Sequence, residues 1–370
     1  MLTSADDYLI HQTPDTFDRV ATSDRNFYDR YYFSCHDSKG EVFLVLALGA
    51  YPNLGVMDAF TSVVHKGIQH IVRASRELDG DRMDARVGPL RVEVVEGLRR
   101  LRIACEPNQW GLAYDLTFEG VAPAVEEPRF LRRAGGRAIF DYTRLSQCGR
   151  WSGQLSVAGE SFAVEPEGWW GGRDRSWGIR PVGDPEPPSA LTARGLRNFF
   201  WQWAPMQFPD FSIMYTITEE ADGRPWHQSA RRVYPYAAAR EPEELTILGH
   251  ELRLKPGTRL FNGGRIFLAE AGERRLEVGM RPLAMMHMSG VGYVSFSDWR
   301  HGHYHGPLVV DGERWDLNDP ELRSRAGDHS ETVCEFTLGQ QTGYGIFEFY
   351  CLGPYEPYGF LSATDVAKQA

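Results

Sequence analysis

A mainly β protein built as two tandem antiparallel barrels or strongly curved sheets, related by internal duplication, is the fold class that this sequence predicts. Three observations carry the prediction. The chain has 370 residues, more than one hydrophobic core usually organises, and about 150 residues per domain suggests two units. Aromatic residues make up 12% of it, with 38 Gly and 22 Pro, a composition of strands and turns rather than long amphipathic helices. A stretch of the first half also recurs in the second.

After a polar start, Ser4 to Asp24, apolar and β-branched runs follow one another at Asn26 to Cys35, Glu41 to Tyr51, Met57 to His65 and Gln69 to Ser75. Further runs lie at Leu90 to Val95, Leu98 to Ala104, Ala113 to Phe118, Ala138 to Leu145 and Gly153 to Val164. Gly135-Gly136 and Ala158-Gly159 stand where two-residue hairpin turns need positive φ. This pattern predicts an antiparallel meander.

Pro181-Val-Gly-Asp-Pro-Glu-Pro-Pro-Ser189 breaks it, because four prolines fix φ and remove hydrogen-bond donors. The reading is an N-terminal unit over 1–180, a Pro-rich linker over 181–198 and a C-terminal unit over 199–370. Strands are predicted in the latter at Phe199 to Ala204, Phe211 to Thr218, His227 to Tyr234, Leu245 to Leu254, Thr258 to Ala269 and Leu276 to Met280. Gly292 to Trp299, Leu308 to Leu317, Thr332 to Gln340 and Gly345 to Tyr350 complete the set.

The duplication rests on Gly149 to Phe162, which matches Gly302 to Trp315 at eight positions of one offset: Gly149/Gly302, Trp151/Tyr304, Gly153/Gly306, Leu155/Leu308, Val157/Val310, Gly159/Gly312, Glu160/Glu313 and Phe162/Trp315. With one inserted residue, Asp174-Arg-Ser176 then faces Asp328-His-Ser330. Both copies read as β-hairpins and are expected at equivalent places in two sheets. Closure of each sheet would remove exposed edges and leave an interior cavity.

The formal net charge of −10 opposes nucleic-acid binding, which needs a basic face. No run approaches the roughly 18 apolar residues of a membrane span. Val42 to Leu48, the strongest run, has the length of a buried strand, so stable membrane insertion is not expected. The N-terminal residues lack a basic region followed by an apolar run, and the expectation is a cytoplasmic protein. Cys35, Cys105, Cys148, Cys334 and Cys351 are scattered, without metal-ligand spacing, and read as reduced and structural. No P-loop, G-x-G-x-x-G, G-x-S-x-G or H-E-x-x-H motif occurs, so no cofactor is expected. His301-Gly-His303-Tyr-His305 would share a strand face, but the repeat accounts for its framework without a metal, and no metal site is assigned.

Gly168-Trp-Trp-Gly-Gly-Arg173-Asp174-Arg175-Ser176-Trp177-Gly178-Ile-Arg180-Pro181 resembles the mid-chain motif of the AttH-like proteins related to carotenoid hydratases (hydroxyneurosporene synthases). The resemblance implies two lipocalin-like domains in tandem and a lyase or isomerase chemistry, since relatives include carotenoid and kievitone hydratases and, more distantly, tocopherol cyclases and fungal Diels–Alderases. In the family pattern, Arg-Asp-His-Ser-Trp-Gly, the hydratases pair His with the Trp two residues on. Here Arg175 replaces that His, and a guanidinium cannot release a proton near neutral pH.

Asp174, among Arg173, Arg175 and Arg180, is expected to stay ionised and to serve as a base, or as an anchor in Arg forks at the junction of the two units. Arg175 and His287, the latter within Met285-Met-His-Met288, complete the candidate catalytic set. Phe199, Trp201 and Trp203 share one strand face and, with Trp177, Arg180 and Tyr215, are the candidate ligand-binding residues; Trp169 and Trp170 would add a second wall. The functional expectation is a cofactor-free hydratase, dehydratase or cyclase acting on an apolar isoprenoid-, steroid- or polyketide-like molecule, with a non-catalytic carrier as the alternative. A homodimer stays open.

Overall fold

The computed structural model describes residues 1–190, 198–272, 274–293 and 299–368. Its strands form two antiparallel sheets. The first runs, in order of pairing, through Leu308–Asp316, Ile68–Glu77, Val56–His65, Val42–Tyr51, Phe27–Asp37, Trp169–Ile179, Arg137–Val157, Leu112–Gly120, Arg100–Cys105, Leu90–Glu96 and Arg86–Val87. The second runs through Glu243–Glu244, Pro225–Val233, Ser212–Glu219, Phe199–Gln207, Gln341–Leu352, Ser330–Leu338, Arg275–His287, Phe261–Ala269 and Thr246–Leu254. Both curl nearly closed. At the ends of the first, Arg76 Nε donates to the Arg86 carbonyl at 2.8 Å; in the second, Leu245 N–H donates to the Ala230 carbonyl at 2.8 Å. The tandem lipocalin-like architecture is therefore present.

Val42–Tyr51 is apolar along its length because both of its faces are buried, as in a sheet covered on two sides. Leu44, Leu46 and Leu48 point into the first barrel beside Phe33 and Trp151. Phe43 and Val45 point outward and join Tyr32, Trp203 and Met286 in a core between the barrels. The second barrel is filled likewise by Phe200, Tyr215, Phe336 and Phe347. The expected apolar cavity inside each barrel is thus replaced by packed side chains, since inward-pointing aromatic and aliphatic residues together occupy the lumen.

The hairpin turns at Gly135-Gly136 and Ala158-Gly159 form as expected: Ala134 pairs with Arg137 and Val157 with Glu160, with Ala158 and Gly159 at φ 52° and 85°. Arg137–Val157 is one strand of 21 residues rather than two. It presses closely on its neighbour because a Cβ at Gly153 would lie 2.1 Å from the Asp115 carbonyl oxygen. Between Gly149 and Gly153, Trp151 is fully buried and donates its N–H to the Ser34 carbonyl at 2.8 Å.

The second copy of the repeat is not a hairpin. Leu308–Asp316 is one unbroken strand whose Gly312 pairs with Val72 in the first sheet. Gly306 to Gly302 precede it as irregular backbone, with Tyr304 exposed. The shared Gly-Glu pair makes a turn only where a partner strand follows at once; at Gly312 the strand Ile68–Glu77 captures the chain instead. The described part of the linker is irregular and docked on the first barrel, where Glu186 meets Arg137 and accepts from Asn26 Nδ2 at 2.6 Å. Residues 191–197 of the linker, and 294–298 of the strand expected at Gly292 to Trp299, lie outside the described residues.

Candidate active site

Directly paired residues on neighbouring antiparallel strands share a face. On the outer face of the first sheet this places Tyr28 and Tyr142 in one row across Gly178, Arg30 and Arg144 in the next across Ser176, and Tyr32 and Ser146 in a third across Asp174. The rows look onto the second sheet, where Phe199, Trp201 and Trp203 alternate along one strand and pair with Leu352, Tyr350 and Glu348. Between the two faces is a cavity of about 100 Å³ that Arg30, Asp174, Ser176, Trp201, His329 and Glu348 line together. Arg180 and Tyr293 line it too, and both also border an adjoining cavity of about 310 Å³.

The floor is a lattice of hydrogen bonds. Glu127 accepts from Arg144 Nε at 2.9 Å, Ser146 Oγ at 2.5 Å and Trp203 Nε1 at 3.1 Å. Glu348 accepts from Trp201 Nε1 at 2.7 Å and lies 2.8 Å from His329 Nε2. Glu331, opposite Glu348 in register, is hydrogen-bonded by the Tyr32 hydroxyl. Burial and the adjacent Glu348 carboxylate raise the Glu331 pKa well above the usual range. Burial also pushes Glu348 upward, but His329, the Trp201 N–H and Arg144 outweigh it and hold this carboxyl low. One buried acid keeps its proton beside one carboxylate.

Asp174 differs from both. It is 5% exposed, its Oδ1 has no hydrogen-bond partner, and it forms no ion pair among the described residues. Burial pushes its pKa up to about 6, against the pull of Arg144 and Arg30 and with the push of Glu127 and Glu348. His329 Nδ1 and Arg30 Nε are likewise buried without partners. An acid that titrates near neutrality, an imidazole tied to a carboxylate and aromatic walls can move protons to and from an apolar substrate shielded from water.

A family model matches residues 2–361. The chain belongs to the family of unknown function DUF8625. No curated protein matches the sequence. Among solved structures, this DUF8625 chain is similar to an AttH-type protein of Nitrosomonas europaea, at 15% identity over 90% of this chain and 95% of that one, with a TM-score of 0.53. CghA with Sch210972 is similar at 12% identity over 88% of each chain, TM-score 0.50. Kievitone hydratase from Nectria haematococca gives 14% identity over 86% of this chain and 88% of that one, TM-score 0.48. At these identities the likeness to the first two shows the fold alone, two barrel-like antiparallel sheets in tandem.

The cavity brings together four of the sequence candidates of this DUF8625 protein: Asp174, Arg180, Phe199 and Trp201. Five lie elsewhere. Arg175, one residue from Asp174, points to the other face of its strand, pairs with Asp29 and lies over the Tyr31 ring. Trp177 shares that face and is 40% exposed. The Arg forks expected around Asp174 fail for the same reason: Arg173 reaches Gln147 at 2.8 Å on the opposite side, and desolvation outweighs the charges that do face Asp174. His287 sits in the core with Nδ1 3.1 Å from the Gly327 carbonyl oxygen. Trp203 is buried one step below the cavity, and Tyr215 lies inside the second barrel with its hydroxyl donating to Gln202 Oε1 at 3.0 Å. Trp169 packs in the first barrel, and Trp170 lies against Tyr344 under Arg150. His301, His303 and His305 are on a loop and diverge toward Asp58, Asp184 and the Trp299 ring; among the described residues no three potential metal ligands converge.

Sequence reasoning missed Tyr28, Arg30, Arg144, Tyr293, His329 and Glu348. Two signals were present. Tyr28, Arg30 and Tyr32 alternate with strand period, so they share a face, and His329 stands opposite Arg175 in the repeat. No helix is long and apolar enough to cross a membrane among the described residues.

Proposed function

We propose that this protein is a cofactor-free lyase or isomerase of hydratase, dehydratase or cyclase type, acting by proton transfer on an apolar molecule whose reacting end enters the cavity between the barrels. The reading is carried by Asp174, a buried and unpartnered carboxyl that titrates at about 6 and faces the His329–Glu348 pair in one aromatic-walled cavity. A cavity of about 100 Å³ is well below the roughly 300–1,000 Å³ of pockets that enclose whole drug-sized ligands. Only the reacting end of an isoprenoid-, steroid- or polyketide-like molecule fits, with the remainder directed to the adjoining space beyond Tyr293.

In hydration, the Asp174 carboxyl protonates one carbon of an alkene, water adds to the other, and the proton that water releases passes to the His329–Glu348 pair. Dehydration is the reverse. Charge developing on carbon is met by the Trp201, Tyr142 and Phe140 rings. The imidazole absent at position 175 is thus supplied by His329, just before the strand Ser330–Leu338. CghA, of the same fold, has been solved with the small molecule Sch210972, which supports a ligand-holding role for the architecture.

The test is incubation of the purified protein with a metabolite extract in heavy-oxygen water, with mass spectrometry of consumed and formed compounds. Asp174→Asn should abolish the conversion while leaving the substrate bound. A compound retained by wild type and variant alike, with no conversion by either, would make the protein a carrier.

A further inference from the structure

Two arginines of the cavity have no direct ion-pair partner among the described residues. Arg30 is 3% exposed, its Nε has no partner, and it makes no ion pair among the described residues. Its guanidinium lies 4.8 Å from the centre of the Tyr293 ring and 5.9 Å from that of Tyr28. Arg180 contacts the same two rings, at 5.7 and 5.5 Å, and has no side-chain hydrogen bond or ion pair among the described residues.

Three other buried arginines of this chain are fully held by acceptors, whereas Arg173 keeps a single hydrogen bond to Gln147. Arg144 is held by Glu127, Arg73 by Asp311 and Glu313, and Arg259 donates to the carbonyls of Cys351, Gly353, Ser362 and Asp365. An uncompensated guanidinium in a dry site is costly to fold around. Asp174, two pairs along the register from Arg30 and on the same face, makes no ion pair with it, and among the described residues no other carboxylate does.

We propose that the substrate is an apolar molecule bearing a carboxylate, and that Arg30 and Arg180 receive its oxygens while the adjacent carbon skeleton is presented to Asp174. A guanidinium matches a planar carboxylate through paired N–H donors, and ring faces on both arginines hold their planes in place. A dianion such as a phosphate monoester would meet Glu348 in the same small chamber, so a single negative charge is the better fit. The inference rests on the proposed function for the choice of site, but its test needs no turnover.

The experiment is calorimetric titration of the full chain at neutral pH with cinnamate and with its neutral counterpart cinnamamide, repeated on Arg30→Met, Arg180→Met and Asp174→Asn. Cinnamate should bind about tenfold or more tightly than cinnamamide. Each Arg variant should lose most of that preference while cinnamamide affinity stays within about twofold. Arg30→Met should keep or raise the denaturation midpoint, because it removes an unpaired buried charge; if it fails to fold, the half-buried Arg180 carries the test alone. Equal binding of the two probes, no saturable cinnamate binding at millimolar concentration, or a preference that survives both Arg substitutions would overturn the proposal. Asp174→Asn should retain the preference. A carboxylate site that persists while no conversion is ever seen would sink the catalytic reading and leave this one standing.

Discussion

Asp174→Asn should stabilise this protein at neutral pH, although it alters a buried residue in the most distinctive motif of the chain. The pKa of Asp174 rises from 3.8 to about 6 on folding. At about 1.4 kcal/mol per pH unit, the native state therefore carries a penalty of about 3 kcal/mol once this carboxyl is ionised. The sign follows from proton counting: between the two values the folded state binds the proton more tightly, so the contribution of Asp174 to stability is fully present below about pH 4 and is lost as pH rises through about 6. Asn is close in shape and never charges. The variant should thus match wild type near pH 4 and exceed it by up to about 3 kcal/mol near pH 8, as measured by urea denaturation at both values with linear extrapolation. A variant less stable than wild type near pH 8 would refute the reasoning, because it would mean that the native fold uses the Asp174 charge as an anchor, as the neighbouring arginines in the sequence suggest.

Trp203→Ala should cost about 3–5 kcal/mol of folding free energy without selectively weakening ligand binding, since Trp203 is 2% exposed in the core between the barrels; Phe199→Ala, at the cavity wall, should weaken binding more than stability. Paired measurements of affinity and denaturation on each variant check the contrast, and reversed rankings would move the cavity wall. Gly312→Val should destabilise the protein by several kcal/mol, because a Cβ there would lie 2.5 Å from the Ile71 carbonyl oxygen and 2.7 Å from the Trp110 ring; an unchanged thermal midpoint would argue against docking of Leu308–Asp316 on the first sheet. Tyr32→Phe should cost about 1–3 kcal/mol by leaving the buried Glu331 carboxyl without its hydrogen bond, whereas Glu331→Gln should cost less, because an amide resembles the protonated acid; urea denaturation of the two variants should rank them in that order.

Much of this fold was legible in the sequence because its causes are local. The strand-forming run Phe211 to Thr218, the continuous apolar run Val42 to Leu48 and the turn pairs Gly135-Gly136 and Ala158-Gly159 each prescribe strand or turn within a few residues. The Trp151 motif was also legible, its glycines allowing the close strand approach that such a pair permits. Part of the candidate site was legible too, because Asp174, Arg180, Phe199 and Trp201 lie within one stretch on either side of the linker.

What the tertiary structure decided was which residues share a face and a volume. Strand period two carries Arg175 and Trp177 away from Asp174, so the charges nearest in sequence are not those nearest in space. Register, set by which strands meet, brings Arg30 and Arg144 to Asp174 from positions more than a hundred and about thirty residues away in the chain, and the packing of one barrel on the other adds His329 and Glu348. The strand Leu308–Asp316 joins the first sheet although its residues match a hairpin, because an available neighbouring strand outweighs a turn-compatible pair of residues. Local chemistry thus names the elements, while desolvation and charge at their junction, which arise only once the barrels exclude water between them, raise the Asp174 pKa to about 6 and leave Arg30 without a direct ion-pair partner.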